Sequence, residues 1–335
     1  MPLMLKCPIF HIQSLEISTE SCYCVDGKQL NRQYKEHFGG FREWDQLTHA
    51  EQYVLFTKNM GPHLAMDEVA LSADELYTIV TNKDAHGRKG ALVAMVKGTR
   101  SEDVIKTLKL IHKWQREQVV EMTVDLSPTM MLIAREAFPK AEIVNDRFHV
   151  QQLVTEALTA IRLECKREAQ DVENATKMLC KEIGIEYKPF VCNNGDTLKQ
   201  LFARSNRLIM KNRSKWTSTQ EQRAELLFRY SPRMEMVYGL SQGLTAIFNN
   251  CKEVNTALEA LDKWMQKVIN SEEEALISVV DTIKANLDTV VNYFDFRSTN
   301  ASAESFNAKV KIFRAQLKGV RDIPFFIYRL TKLFA

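Results

Sequence analysis

Four carboxylates occupy positions that chemistry has to explain. Asp67 follows His63-Leu64-Ala65-Met66 inside an apolar run, and Asp125 lies near the end of VVEMTVDL (119–126). Asp146 ends AEIVND (141–146), and Glu304 opens a stretch that is otherwise basic. A carboxylate in an apolar setting is costly unless it is paired, hydrogen-bonded or bound to metal. Two such anions brought together repel each other and call for a cation, and oxygen-only ligands favour a hard one, Mg²⁺ or Mn²⁺. Each acid also has a simpler reading. Asp67 would accept turn hydrogen bonds, Asp125 would cap the Ser-Pro helix start that follows it, and Glu304 would suit a helix dipole.

The basic residues are unevenly spread. Residues 160–215 carry 12 Lys/Arg against 7 Asp/Glu, or +5, and residues 297–335 carry 8 against 2, or +6. The net charge is +3, so the remainder sums to −8, the division expected of a polyanion-binding face on an acidic body. Arg204, Arg207, Lys211, Arg213 and Lys215 fall within twelve residues that hold no acid. Lys309, Lys311, Arg314, Lys318 and Arg321 follow Glu304. Both groups suit phosphate contacts, and a solvated helix face is the competing account of each.

Other chemistries lack their signatures. HExxH, a Gly-rich phosphate loop and a CxxC pair are all missing. The seven cysteines are odd in number and scattered, as reduced thiols would be, and Cys22-x-Cys24 with Cys7 or His37 is poorly spaced for zinc. The chain has no run of about 18 apolar residues and its start lacks a secretory apolar segment, so a cytoplasmic protein without a membrane span is expected. Trp44, Trp114, Trp216 and Trp264 read as core or domain-interface residues.

The elements that must hold these groups follow from periodicity. HLAMDEVAL (63–71), ELYTIVT (75–81) and ALVAMVK (91–97) read as a three-strand meander. A helix is expected over 101–117 with Ser101 as N-cap, its face formed by Val104, Ile105, Leu108, Ile111 and Trp114. A fourth strand (119–126), a Ser-Pro helix (127–138) and a fifth strand (141–146) complete an α/β fold. Its mixed five-stranded sheet with helices has the strand order of ribonuclease-H-like folds, in which the first and fourth strands adjoin. A long amphipathic helix over 149–183 then opens a mostly α-helical insertion. The expected organisation is a poorly defined N-terminal segment (1–60), the first part of the catalytic domain (61–150), the insertion (151–295) and C-terminal helices that complete the catalytic domain (296–335).

Four blocks, MDEVALS, VDLSPTM, AEIVNDRFHVQQLV and RSTNASAESFNAKVKIFRAQLKGVRD, closely resemble bacterial insertion-sequence transposases of the DDE type, in the ISL3 branch. The resemblance runs from about residue 25 to the end. It implies a ribonuclease-H-like domain interrupted by a helical insertion, and Asp67, Asp125 and Glu304 as the catalytic and metal-binding acids. The 178 residues between the second acid and the third are consistent with an inserted subdomain. Asp146 and His149 match an Asp-x-x-His signature of related branches, and Asp125 is preferred to Asp146 as second acid because its strand adjoins that of Asp67.

The resemblance further implies two Mg²⁺ (or Mn²⁺) ions, bridged by Asp67 with Asp125 on one and Glu304 on the other. It implies DNA (transposon ends and target) as partner, a homo-oligomer on DNA, and a nucleoid-associated bacterial location. Relatives usually begin with a zinc-binding or helix-turn-helix segment, which the residues before His63 do not display. End recognition is therefore expected from a separately encoded N-terminal DNA-binding protein, or is lost by truncation. The alternatives are a catalytically inactive transposase acting as a DNA-binding regulator, or a structure-selective nuclease on the same fold.

Overall fold

The computed structural model describes residues 27–72, 75–316 and 322–335. Cys7, Cys22, Cys24, Lys318 and Arg321 lie outside them. The chain forms two compact units, one of residues up to Asp146 together with Ser298–Ala335, the other Arg147–Arg297.

The first unit is built on a mixed six-stranded sheet. Its strands are β1 (Tyr53–Leu55), β2 (His63–Ser72), β3 (Glu75–Asn82), β4 (Leu92–Lys97), β5 (Glu121–Val124) and β6 (Glu142–Asn145), in spatial order β1-β4-β3-β2-β5-β6. The expected five strands thus become six. The extra one, β1, pairs antiparallel with β4 over only three residues, too short for an alternating pattern to show in sequence. β2, β3 and β4 form the antiparallel meander, whereas β5 runs parallel to β2 and β6 parallel to β5.

Side-chain alternation divides the two faces of this sheet. Leu64 and Met66 of β2, with Met122 and Val124 of β5, enter one core with Ile133 and Phe138. Val69 and Leu71 enter the other, beneath Phe306, Val310 and Phe313.

Helix α1 (Gly27–Gln33) precedes the sheet, and α2 (Ser101–Leu108) and α3 (Lys113–Arg116) follow β4. The single helix expected over 101–117 is therefore broken. Leu110 and Ile111 donate to Thr107 O and Leu108 O in tight turns, and His112 is extended (φ −52°, ψ 138°). The break buries Ile111 and leaves Trp114 59% exposed, so Trp114 is not a core residue. The helix also begins one residue early, with Arg100 rather than Ser101 at the N-cap. Helix α4 (Pro128–Ala137) has Pro128 in its first turn, and Ser127 Oγ accepts from Met130 N–H at 3.4 Å.

The second unit opens on α5 (Arg147–Glu182), whose buried stripe Val150, Val154, Leu158, Ile161 and Cys165 follows one helical face. It continues through α6 (Leu198–Arg204), α7 (Asn206–Ile209), α8 (Ser218–Tyr230), α9 (Pro232–Asn250), α10 (Val254–Ile269), α11 (Glu274–Ala285) and α12 (Leu287–Phe296). Trp216 and Trp264 turn their indole N–H groups to Leu208 O and Leu240 O, both at 2.8 Å. The first unit then resumes with α13 (Ala301–Gln316) and α14 (Ile323–Phe334). Trp44 packs beside Tyr328 of α14, ring centroids 5.2 Å apart. No helix among the described residues is long and apolar enough to cross a membrane.

Candidate active site

Strand register places the acids. Ala65 of β2 pairs with Thr123 of the parallel β5, so Asp67 in β2 and Asp125, just past the end of β5, each lie two residues beyond a paired position. Val124 pairs with Asn145 of β6, so Asp146 stands next to Asp125 in the same row. All three follow the alternation that faces away from Met122 and Val124, toward the side of the sheet that α13 covers. Asp125 and Asp146 lie just past the carboxyl ends of the parallel strands β5 and β6, a usual location of ligand sites in open sheets, whereas Asp67 is mid-strand in the longer β2.

The surroundings of the three differ. Asp67 Oδ1 accepts from Glu68 N–H at 2.7 Å and Oδ2 from Asn307 Nδ2 at 2.6 Å. Asp125 is half-buried, and its carbonyl accepts from Asn145 Nδ2 at 3.1 Å. The helix after it is capped by Ser127, so capping does not account for Asp125. Asp146 is buried, and its N–H donates to Val124 O at 3.0 Å. It closes the first unit, whereas His149 sits in the first turn of α5 in the second. Glu68 adds a further negative charge: its partial burial, and then the Asp125 carboxylate, push its pKa up.

Glu304 arrives on α13. Ala303, Phe306, Val310 and Phe313 form the buried stripe of that helix. Burying each large side chain contributes roughly 1.5–3 kcal/mol, which holds the helix against β2 and β3. Glu304 is exposed, one turn before Asn307, and so lies on the flank of α13 that meets Asp67. Among the described residues no group of three His, Cys, Asp or Glu is close enough together to hold an ion as it stands. The donor set nevertheless fits a hard divalent cation. It is all oxygen, Asp67 and Asp125 each lie two residues past a paired position of β2 and β5, and the repulsion between Asp125 and Glu68 is one that a cation would relieve.

A family model for DDE transposases of the ISL3 group matches residues 64–330, most of the chain and all four acids. The chain belongs to the ISL3 family of DDE transposases. No curated protein and no solved structure matches it.

The basic residues of this transposase fall into two kinds. Arg207, Lys211, Arg213 and Lys215 are exposed, and the Arg213 guanidinium lies 6.0 Å from the Trp216 ring. Arg204 is exposed as well but pairs with the buried Asp196, which also accepts from Arg223 Nε at 3.3 Å. On α13, Lys309 donates to Gly87 O at 2.8 Å and Arg314 to Ala70 O at 3.0 Å, whereas Lys311 is exposed. Asn307 had no role from its sequence position; its spacing of three from Glu304 was the one available signal. Lys83 was equally silent, although its Nζ donates to Glu121 Oε1 at 2.6 Å and Thr123 Oγ1 at 2.8 Å on the face that carries Asp125.

Proposed function

We propose that this transposase cleaves and transfers DNA strands at a site formed by Asp67, Asp125 and Glu304 on a ribonuclease-H-like unit. What supports the reading is the placement of Asp67 and Asp125, each two residues beyond a paired position of adjoining strands, with Glu304 on the helix that touches Asp67. The mixed sheet, a meander followed by two parallel strands, agrees with that fold. Asp67 and Asp125 would hold the divalent cations together, and Glu304 would reach them from α13. When bound, a pair of Mg²⁺ ions lowers the pKa of an attacking water and stabilises charge on the departing 3′-oxygen.

The chain's own groups do the rest. The carboxylates fix where positive charge is held, so that charge developing in the transition state meets groups already in place. The exposed Arg207, Lys211, Arg213 and Lys215 would hold the DNA backbone by contacts that weaken with salt, without reading its sequence. Asp146, buried at the end of β6, would support the Asp125 side of the site rather than bind substrate.

The test is single-turnover cleavage of a pre-nicked transposon end, with Mg²⁺ and with chelator, by the wild type and by Asp67→Asn, Asp125→Asn and Glu304→Gln. The expected result is loss of at least about 100-fold in each variant and with chelator, with DNA binding retained. A variant that cleaves at the wild-type rate removes its residue from the site.

A further inference from the structure

Helix α13 is tied to β2 by two side chains two turns apart. Asn307 Nδ2 donates to Asp67 Oδ2 at 2.6 Å and to Glu68 O at 3.3 Å, and Arg314 Nη1 donates to Ala70 O at 3.0 Å. Both Asn307 bonds run to acceptors, which fixes the way the amide faces: nitrogen to the strand, Oδ1 away from it. That Oδ1 is buried and has no hydrogen-bond partner among the described residues. A buried amide with half its capacity unused is a poor stabilising device, since an apolar side chain of the same shape would pack there without that cost.

Its geometry suits another task. A helix turns about 100° per residue, so a slip of one residue would carry Glu304 off the flank that faces Asp67. The Asn307 bond sets that rotation at the strand residue itself, one turn from Glu304. It also holds the Asp67 carboxylate by one oxygen, while Glu68 N–H holds the other.

We infer that Asn307 is a positioning residue: it orients the Asp67 carboxylate for cation binding and sets the rotation of α13 that presents Glu304. The inference rests on the proposed assignment of Asp67 as a cation ligand. Groups that orient a metal's ligands typically change affinity 10–100-fold when removed.

The test is Mn²⁺ titration of the full chain, followed by paramagnetic resonance, for Asn307→Leu and Asn307→Ser. The leucine keeps the volume and loses the donor, and the smaller serine keeps a donor. The Mn²⁺ midpoint is expected to rise about 10-fold or more in Asn307→Leu and less in Asn307→Ser, with melting temperature and DNA affinity at wild-type values. If Asn307→Leu fails to fold, a raised midpoint in a normally melting Asn307→Ser carries the same meaning. An unchanged midpoint in every variant that folds overturns the inference. So do parallel losses of Mn²⁺ binding, melting temperature and DNA affinity, which would mark a purely structural residue. Asp67→Asn in the same titration separates the two levels. If it leaves Mn²⁺ binding intact, the proposed site falls and this inference with it. If it abolishes binding while the Asn307 variants bind normally, only the inference falls.

Discussion

Asp67 of β2 and Asp125, the residue just past the end of the parallel β5, each lie two residues beyond the paired Ala65 and Thr123. Asp146 extends the row on β6 and is the buried member of the three.

Asp125→Asn is expected to remove cation-supported cleavage, by at least about 100-fold, while leaving DNA affinity within about twofold. Asp146→Asn is expected to do less damage, because its strand does not adjoin that of Asp67. Cleavage of a pre-nicked end by both variants checks this. Loss in Asp146→Asn with retention in Asp125→Asn would exchange the two assignments.

Reversing Arg207, Lys211, Arg213 and Lys215 to Glu should weaken binding alike for all DNA sequences. It should also flatten the dependence of log affinity on log salt, by up to about 0.9 for each phosphate that the variant no longer neutralises. Filter binding between about 50 and 200 mM salt measures the slope. Arg204 does not belong in that set, because it pairs with Asp196, which is 1% exposed. Its reversal would damage folding of the helical unit and confuse the readout.

Lys83→Met should destabilise the chain by about 3–5 kcal/mol, since Glu121 is 2% exposed and would keep a buried charge with only the Thr123 hydroxyl donating to it. A denaturant melt reads the loss, and adding Glu121→Leu should recover most of it. Equal stability of Lys83→Met and wild type would show that the pair contributes nothing.

Among the described cysteines, Cys165 and Cys192 are buried, and that burial pushes both thiols up. A raised thiol pKa means less thiolate at pH 8, so both should resist alkylation, whereas the partly exposed Cys180 and Cys251 react first. Mass spectrometry after a timed iodoacetamide pulse gives the order directly. Early labelling of Cys165 would place it at an accessible surface.

Local pattern made much of this fold legible. The β-branched runs around Met66, Ile79 and Val93 became strands, and Ser127-Pro128 began a helix. Such signals depend only on near neighbours in sequence. Three residues at Tyr53–Leu55 are too few to show alternation, and the helical spacing from Val104 to Trp114 hid a break made by tertiary burial of Ile111. The acids were visible because a carboxylate in an apolar run needs explaining. Their partners were not: Asn307 meets Asp67 across 240 positions, and Lys83 meets Glu121 across 38, separations that no spacing rule addresses.

The central claim is that the Asp67–Asp125 pair holds the cation. Anomalous diffraction from crystals grown in Mn²⁺ tests it without reference to activity. The account predicts a peak within about 2.0–2.6 Å of oxygens from both carboxylates, lost in Asp67→Asn. Density at Asp146 with none at the pair, or a peak that survives Asp67→Asn unchanged, would contradict it.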